Sequence, residues 1–154
     1  MRKILYPVDF SPYSECALGP AIWLAKYYDA ELLVLHAVET PPGWGLGRPE
    51  PPLSAAMAEA EWERLVKVWP PDPSVHVRHL LVQGDPAAAI LRAVQEHGCD
   101  LIVMGTHGRT GLDRMLLGSV AEQVMRGASC PVLTVKVPLA VIVPTETASA
   151  VGAV

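Results

Sequence analysis

Five short apolar runs punctuate the chain: Ile4 to Val8, Leu32 to Val38, Val75 to Val82, Leu101 to Met104, and Val132 to Val137. They are rich in β-branched residues and read as strands. Four of them are nearly continuous rather than alternating, the pattern of a parallel sheet covered on both faces. Val75 to Val82 alternates more and carries His76, Arg78 and His79, so one face is wetter and the strand is expected at a sheet edge.

Helical patterns fill the gaps. Ser11-Pro12 supplies an N-cap and a first-turn proline, after which Ala17, Ala21, Leu24 and Tyr28 fall on one stripe. Asp85-Pro86 repeats the signal before Ile90, Leu91 and Val94, and Gly98 is placed to end that helix. Ser119-Val120-Ala121-Glu122 reads as a capping box opening a helix that ends near Gly127. Met57, Ala60, Trp62 and Leu65 support one more helix between Leu53 and Val68. The order β-α-β-α-β-α-β-α-β requires right-handed crossovers and predicts a three-layer α/β fold, a five-stranded parallel sheet with helices on both faces. Ligands of such sheets sit beyond the carboxyl ends of the strands where the strand order reverses, which singles out the loops after Val8, Val38 and Met104.

Composition narrows the partners. The 154 residues fit a single domain. With 51% hydrophobic and only 18% charged residues, many positions are expected to face protein rather than water. No charge-free stretch is long enough for a membrane span. Twelve Lys and Arg against sixteen Asp and Glu give a net charge of -4, without the basic face that drives phosphate-backbone binding, so no nucleic acid partner is expected. Cys16, Cys99 and Cys130 form no CxxC pair and indicate neither a disulfide framework nor zinc, which fits a reducing cytoplasm. The start, Met1 to Leu5, runs into Pro7 and Asp9 before a signal-peptide apolar stretch develops. Pro41 to Pro52, rich in Pro and Gly around Trp44, is expected as a loop or lid. Residues 1–137 are read as the domain and 138–154 as a tail, either an extra strand or disordered.

The strongest chemical signal is the segment from Gly105 to Ser119, with the spacing G-x2-G-x9-G-[ST] at Gly105, Gly108, Gly118 and Ser119. Glycines let successive N–H groups converge on an anion, and a helix start at Gly118-Ser119 offers free N–H groups and a positive dipole end to phosphate. Asp9, at a strand end, is able to accept from ribose hydroxyls or hold a phosphate-bound Mg2+; its plainer reading is a turn-forming Asp before a helix.

This loop, with Ile4-Leu5-Tyr6-Pro7-Val8-Asp9-Phe10-Ser11 and Cys130-Pro131-Val132-Leu133-Thr134-Val135-Lys136, resembles the universal stress protein family, ATP-binding branch, over about residues 1 to 137. The resemblance implies a Rossmann-like fold of the adenine nucleotide alpha hydrolase-like kind, a homodimer through the last sheet strand, and ATP across the ends of the first and fourth strands. Carried over by position, Asp9 lies near the ribose and phosphates with Pro7 beside it, and Ala37 meets adenine through its backbone. Met104, Gly105, Gly108, Gly118, Ser119 and Val120 match the phosphate and ribose loop, with Thr106, His107 and Arg109 inside it. The segment around Trp44 departs from the family.

Other candidates fall away. His107 has no visible partner for general acid or base work, and Arg109 is as well read as a solvated loop residue. His76 and His79, three apart on a strand, point to opposite faces. His36 and His97 read as a strand-end side chain and a helix C-terminal charge, and Cys99 and Cys130 as small apolar packing residues. The chain has no GxGxxG after its first strand and no Gly-Lys pair for a P-loop, so vigorous ATP hydrolysis is not expected. The expectation is an ATP-binding switch in stress response, with Mg2+ held mainly by the phosphates. The alternatives are a slow hydrolase or nucleotidyl transferase, with Asp9 organising metal and His107 or Arg109 assisting, and an interaction module that holds no nucleotide.

Overall fold

The computed structural model describes residues 1–39, 52–68, 72–106 and 117–136. Strand and helix alternate as β1 (Lys3–Pro7), α1 (Pro12–Tyr28), β2 (Glu31–Val38), α2 (Ala55–Leu65), β3 (Val77–Gln83), α3 (Pro86–His97), β4 (Leu101–Gly105), α4 (Ser119–Gly127) and β5 (Val132–Val135). The strands pair parallel throughout, in the order β3-β2-β1-β4-β5. The chain therefore builds outward from β1 to β3, returns past β1, and builds the other way to β5. The reversal lies between β1 and β4, where a ligand crevice belongs.

β3 occupies one edge, as its wetter sequence predicts, although it begins at Val77 rather than Val75. β5 forms the other edge and ends at Val135. The loop around Trp44 and the tail from 138 lie outside the described residues.

The period-two geometry of the strands divides the core into two layers. Ile4, Tyr6, Leu32, Val34 and Val103 face α1 and α2, while Leu5, Leu33, Leu35, Ile102 and Met104 face α3 and α4. Each fully buried Leu or Ile in these layers is worth about 1.5–3 kcal/mol relative to exposure, which explains why both strand faces read as apolar.

Two helices meet the sheet differently from their apolar patterns. In α1 the buried stripe is Ser14, Ala17, Ala21 and Ala25. Tyr28, expected on that stripe, is exposed, because the packed face ends at Ala25, one turn before the left-handed cap Asp29. In α2 only Leu65 is buried, and Met57, Ala60 and Trp62 face outward. The inward row there is Ala58, Glu61 and Leu65, and its charged member hides it from a search for apolar residues. The cap signals before α1 and α3 hold: Ser11 Oγ accepts from Ser14 N, Asp85 Oδ1 accepts from Ala88 N, and Gly98 closes α3 at φ 63°.

Candidate functional site

Three helices begin at the carboxyl end of the sheet around the reversal point, and the chain treats their first turns differently. At the β1–α1 turn Asp9 Oδ1 accepts from Ser11 N at 3.0 Å and from Ser11 Oγ at 2.6 Å, while Asp9 N donates to Ser14 Oγ at 3.4 Å. Asp9 thus does the turn-forming work expected of an Asp before a helix. Beneath it the Tyr6 hydroxyl donates to Ser14 O at 2.9 Å. Burial, reinforced by the carboxylates of Glu15 and Asp9, raises the Tyr6 pKa well above the ordinary tyrosine value, so it remains a donor.

The β4–α4 connection is built for close approach. A Cβ on Gly105 would lie 2.5 Å from the Tyr13 carbonyl oxygen, so glycine is required there to let the first turn of α1 rest against the end of β4. Thr106, buried beside it, donates its N–H to Val135 O at 3.1 Å and accepts from Gly118 N at 2.7 Å, which draws the exit of β4 to the entrance of α4. The N-cap of α4 is Gly118, one residue earlier than the capping box predicts, and among the described residues no side chain caps the helix. Ser119 is the first helical residue, and its hydroxyl therefore does not sit where a cap oxygen would. The first intrahelical bond, Glu122 N to Gly118 O, leaves the N–H groups of Ser119, Val120 and Ala121 without helical acceptors.

These turns enclose a cleft of about 190 Å³. Its lining includes Pro7, Asp9, Ala37, Met104, Gly105, Thr106, Gly118, Ser119 and Val120, every expected site residue among the described ones. His107, Gly108 and Arg109 lie outside the described residues. Sequence reasoning missed Val8, Ser14, Leu35, Glu39, Pro86, Ile90 and Ala121, which line the same cleft. Leu35 and Glu39 were legible in principle, since they share the face of Ala37 at a spacing of two. Pro86 and Ile90 carry no motif, because α3 reaches the cleft only through the sheet topology.

The cleft is apolar on one side, through Pro7, Leu35, Ala37 and Ile90, and presents an uncapped helix start on the other. The first side suits a flat ring and the second an anion. The sequence matches the model of the universal stress protein family over residues 1–136. The chain belongs to that family. It is 42% identical to a universal stress protein of Methanocaldococcus jannaschii, covering 89% of this chain and 83% of the relative. A solved universal stress protein from Lactobacillus plantarum superposes with a TM-score of 0.68 at 25% identity, covering 87% of this chain and 97% of that one. A more distant member of the family from Arabidopsis thaliana, with AMP bound, shares the fold at a TM-score of 0.57 and 18% identity, covering 97% of each chain. The five-stranded parallel α/β fold expected from the sequence is the fold of this family. Among the described residues no helix is long and apolar enough to cross a membrane.

Proposed function

We propose that this universal stress protein binds an adenine nucleotide, ATP in particular, in the cleft between β1 and β4 and uses occupancy as a switch in stress response. The observation that carries the reading is the start of α4, which has no side-chain cap and brings Ser119, Val120 and Ala121 to the lining of a cleft that also holds the apolar Pro7, Leu35, Ala37 and Ile90 and the polar Asp9, Ser14, Glu39 and Thr106. Phosphates would sit on those N–H groups, favoured by the helix dipole without any lysine. The base would lie against Pro7, Leu35 and Ala37, with Ala37 offering its backbone. Asp9, one oxygen committed to Ser11, would face the ribose. His107, Gly108 and Arg109 would complete the phosphate side.

Among the described residues no group of three metal-ligating side chains gathers, so Mg2+ would travel mainly on the phosphates. A switch without turnover, or with only weak ATPase activity, suits a site that offers backbone donors. Three free cysteines fit a cytoplasmic setting, and β5, which among the described strands pairs only with β4, offers an edge for a homodimer. Residues 138–154 would then be a tail on the folded domain.

The test is direct. Freshly purified protein is denatured and the released small molecules assayed, and the melting temperature of ligand-free protein is measured with and without ATP. Released adenine nucleotide, or a rise in melting temperature with ATP, is expected; neither appearing would defeat the reading.

A further inference from the structure

On the sheet face opposite the cleft, a buried side chain grips the same β1 exit. His36 of β2 is only 1% exposed. Its Nδ1 lies 2.8 Å from the Val8 carbonyl oxygen, and its Nε2 lies 3.6 Å from Glu61 Oε2 on α2. A carbonyl oxygen only accepts, so Nδ1 carries a proton in this contact. In a neutral ring Nε2 would then turn a lone pair toward the Glu61 carboxylate, on whose two oxygens Arg64 donates at 3.2 and 3.0 Å. The contact is attractive when Nε2 is protonated as well, an imidazolium against a carboxylate.

The same cluster holds Phe10. Its ring centroid lies 4.5 Å from that of His36, with the rings tilted by 52°, and Arg64 Cζ lies over the Phe10 ring, 4.2 Å from its centroid. The Arg64 guanidinium favours the aromatic ring, and a protonated His36 beside it adds to this. Phe10 needs such support, because its φ of 60° is a left-handed conformation that bulky residues rarely adopt. Asp9 lies between the two gripped residues, Val8 and Phe10, and is one of the residues that line the cleft.

We propose that His36, doubly protonated and paired with Glu61, is a positioning residue that clamps Val8 and Phe10 from behind the sheet and thereby sets Asp9 in the cleft, so that nucleotide affinity falls as rising pH removes the Nε2 proton. The effect on affinity rests on the nucleotide reading; the clamp itself does not. Among the described residues, the titratable and charged groups around the cluster are Glu61 and Arg64 from α2, Asp9 from the β1–α1 turn, Glu15 from α1, Lys67 after α2, and His79 from β3, whose ring meets Trp62. Losing the Nε2 proton leaves a lone pair facing Glu61, and withdraws one of the two cations from Phe10.

The experiment follows the ring nitrogens of His36 by 15N NMR in the full chain from about pH 5.5 to about pH 8.5, either side of the ordinary imidazole range. Binding of ATP with Mg2+ is measured by calorimetry at both ends. Expected are two protonated nitrogens at the acid end and Nδ1 alone at the alkaline end, amide shifts of Asp9 and Phe10 that track the ring, and about a tenfold loss of ATP affinity. In Glu61→Gln the ring should lose its Nε2 proton at lower pH. In His36→Asn, whose amide still reaches Val8, ATP affinity should no longer depend on pH. A ring protonated on Nε2 alone, Asp9 and Phe10 amides that ignore its titration, or an ATP affinity unchanged while it titrates would overturn the proposal. No ATP binding at any pH, with the ring and amides behaving as described, would overturn the nucleotide reading and support the clamp.

Discussion

α3 and α4 both begin at the carboxyl end of the sheet and both line the cleft, yet their first turns differ. Asp85 closes α3 by accepting from Ala88 N, whereas Gly118 gives α4 no side-chain acceptor at all. α1 is closed like α3, through Ser11. Glycine in place of a Ser or Asp cap forgoes only about a few tenths of a kcal/mol, so leaving one of the three open has a small cost in stability. The difference separates a turn closed by its own side chain from a turn whose cap residue carries no acceptor.

The largest expected effect breaks the open turn itself. Gly118 has φ -71° and ψ 156°, a conformation that valine adopts without strain, so Gly118→Val should fold with a loss of no more than about 1 kcal/mol. Its side chain would occupy the approach to the α4 donors, and ATP affinity measured by calorimetry should fall by about 100-fold or more. Unchanged affinity would remove the cradle from the account. Gly105→Ala separates the two kinds of glycine. Its Cβ would overlap the Tyr13 backbone, so stability in chemical denaturation should fall by about 2 kcal/mol before binding is considered.

That pair of glycines also shows how far the sequence could be read. Both belong to one spacing motif, and the motif does not say that Gly105 is there for α1 while Gly118 is there for the open turn. The alternation of strand and helix along the chain was legible, in β1, β2 and β4 because both strand faces are buried and read as apolar; β5, read the same way, lies at the sheet edge with Leu133 exposed, because among the described strands only one neighbour covers it. The inward face of α2 was not, because it is built on Glu61, and a charge on an inward row is invisible to a hydrophobic pattern. The capping box at Ser119 misplaced the cap by one residue for a related reason: Ser followed by Glu at the fourth position fits a closed helix start, and here Gly118 takes the cap and leaves the start open. The lining from α3 depends on topology that no local spacing encodes.

Smaller effects sharpen the contrast. Asp85→Ala should cost about 1 kcal/mol of stability while leaving ATP affinity unchanged, since it opens a turn whose donors are normally satisfied. The smallest effect is at the other end of the sheet. Asp100 accepts from the backbone N–H groups of Arg2 and Lys3, which holds its carboxyl below the usual range. A lowered folded pKa means that stabilisation is present above the ordinary carboxylate range and lost as pH falls through the folded value. Urea denaturation at descending pH should therefore show the stability gap between wild type and Asp100→Asn narrowing in acid.

If the open start of α4 receives phosphate, its first amides respond to nucleotide before those of any capped helix. Backbone amide NMR during an ATP titration tests it most directly, by comparing Ser119, Val120 and Ala121 with the capped first turn of α3 at Ala87, Ala88 and Ala89. Large saturable shifts are expected at the three α4 amides and much smaller ones at the α3 amides. Saturation with no shift at α4, or with equal shifts at both helix starts, would contradict it.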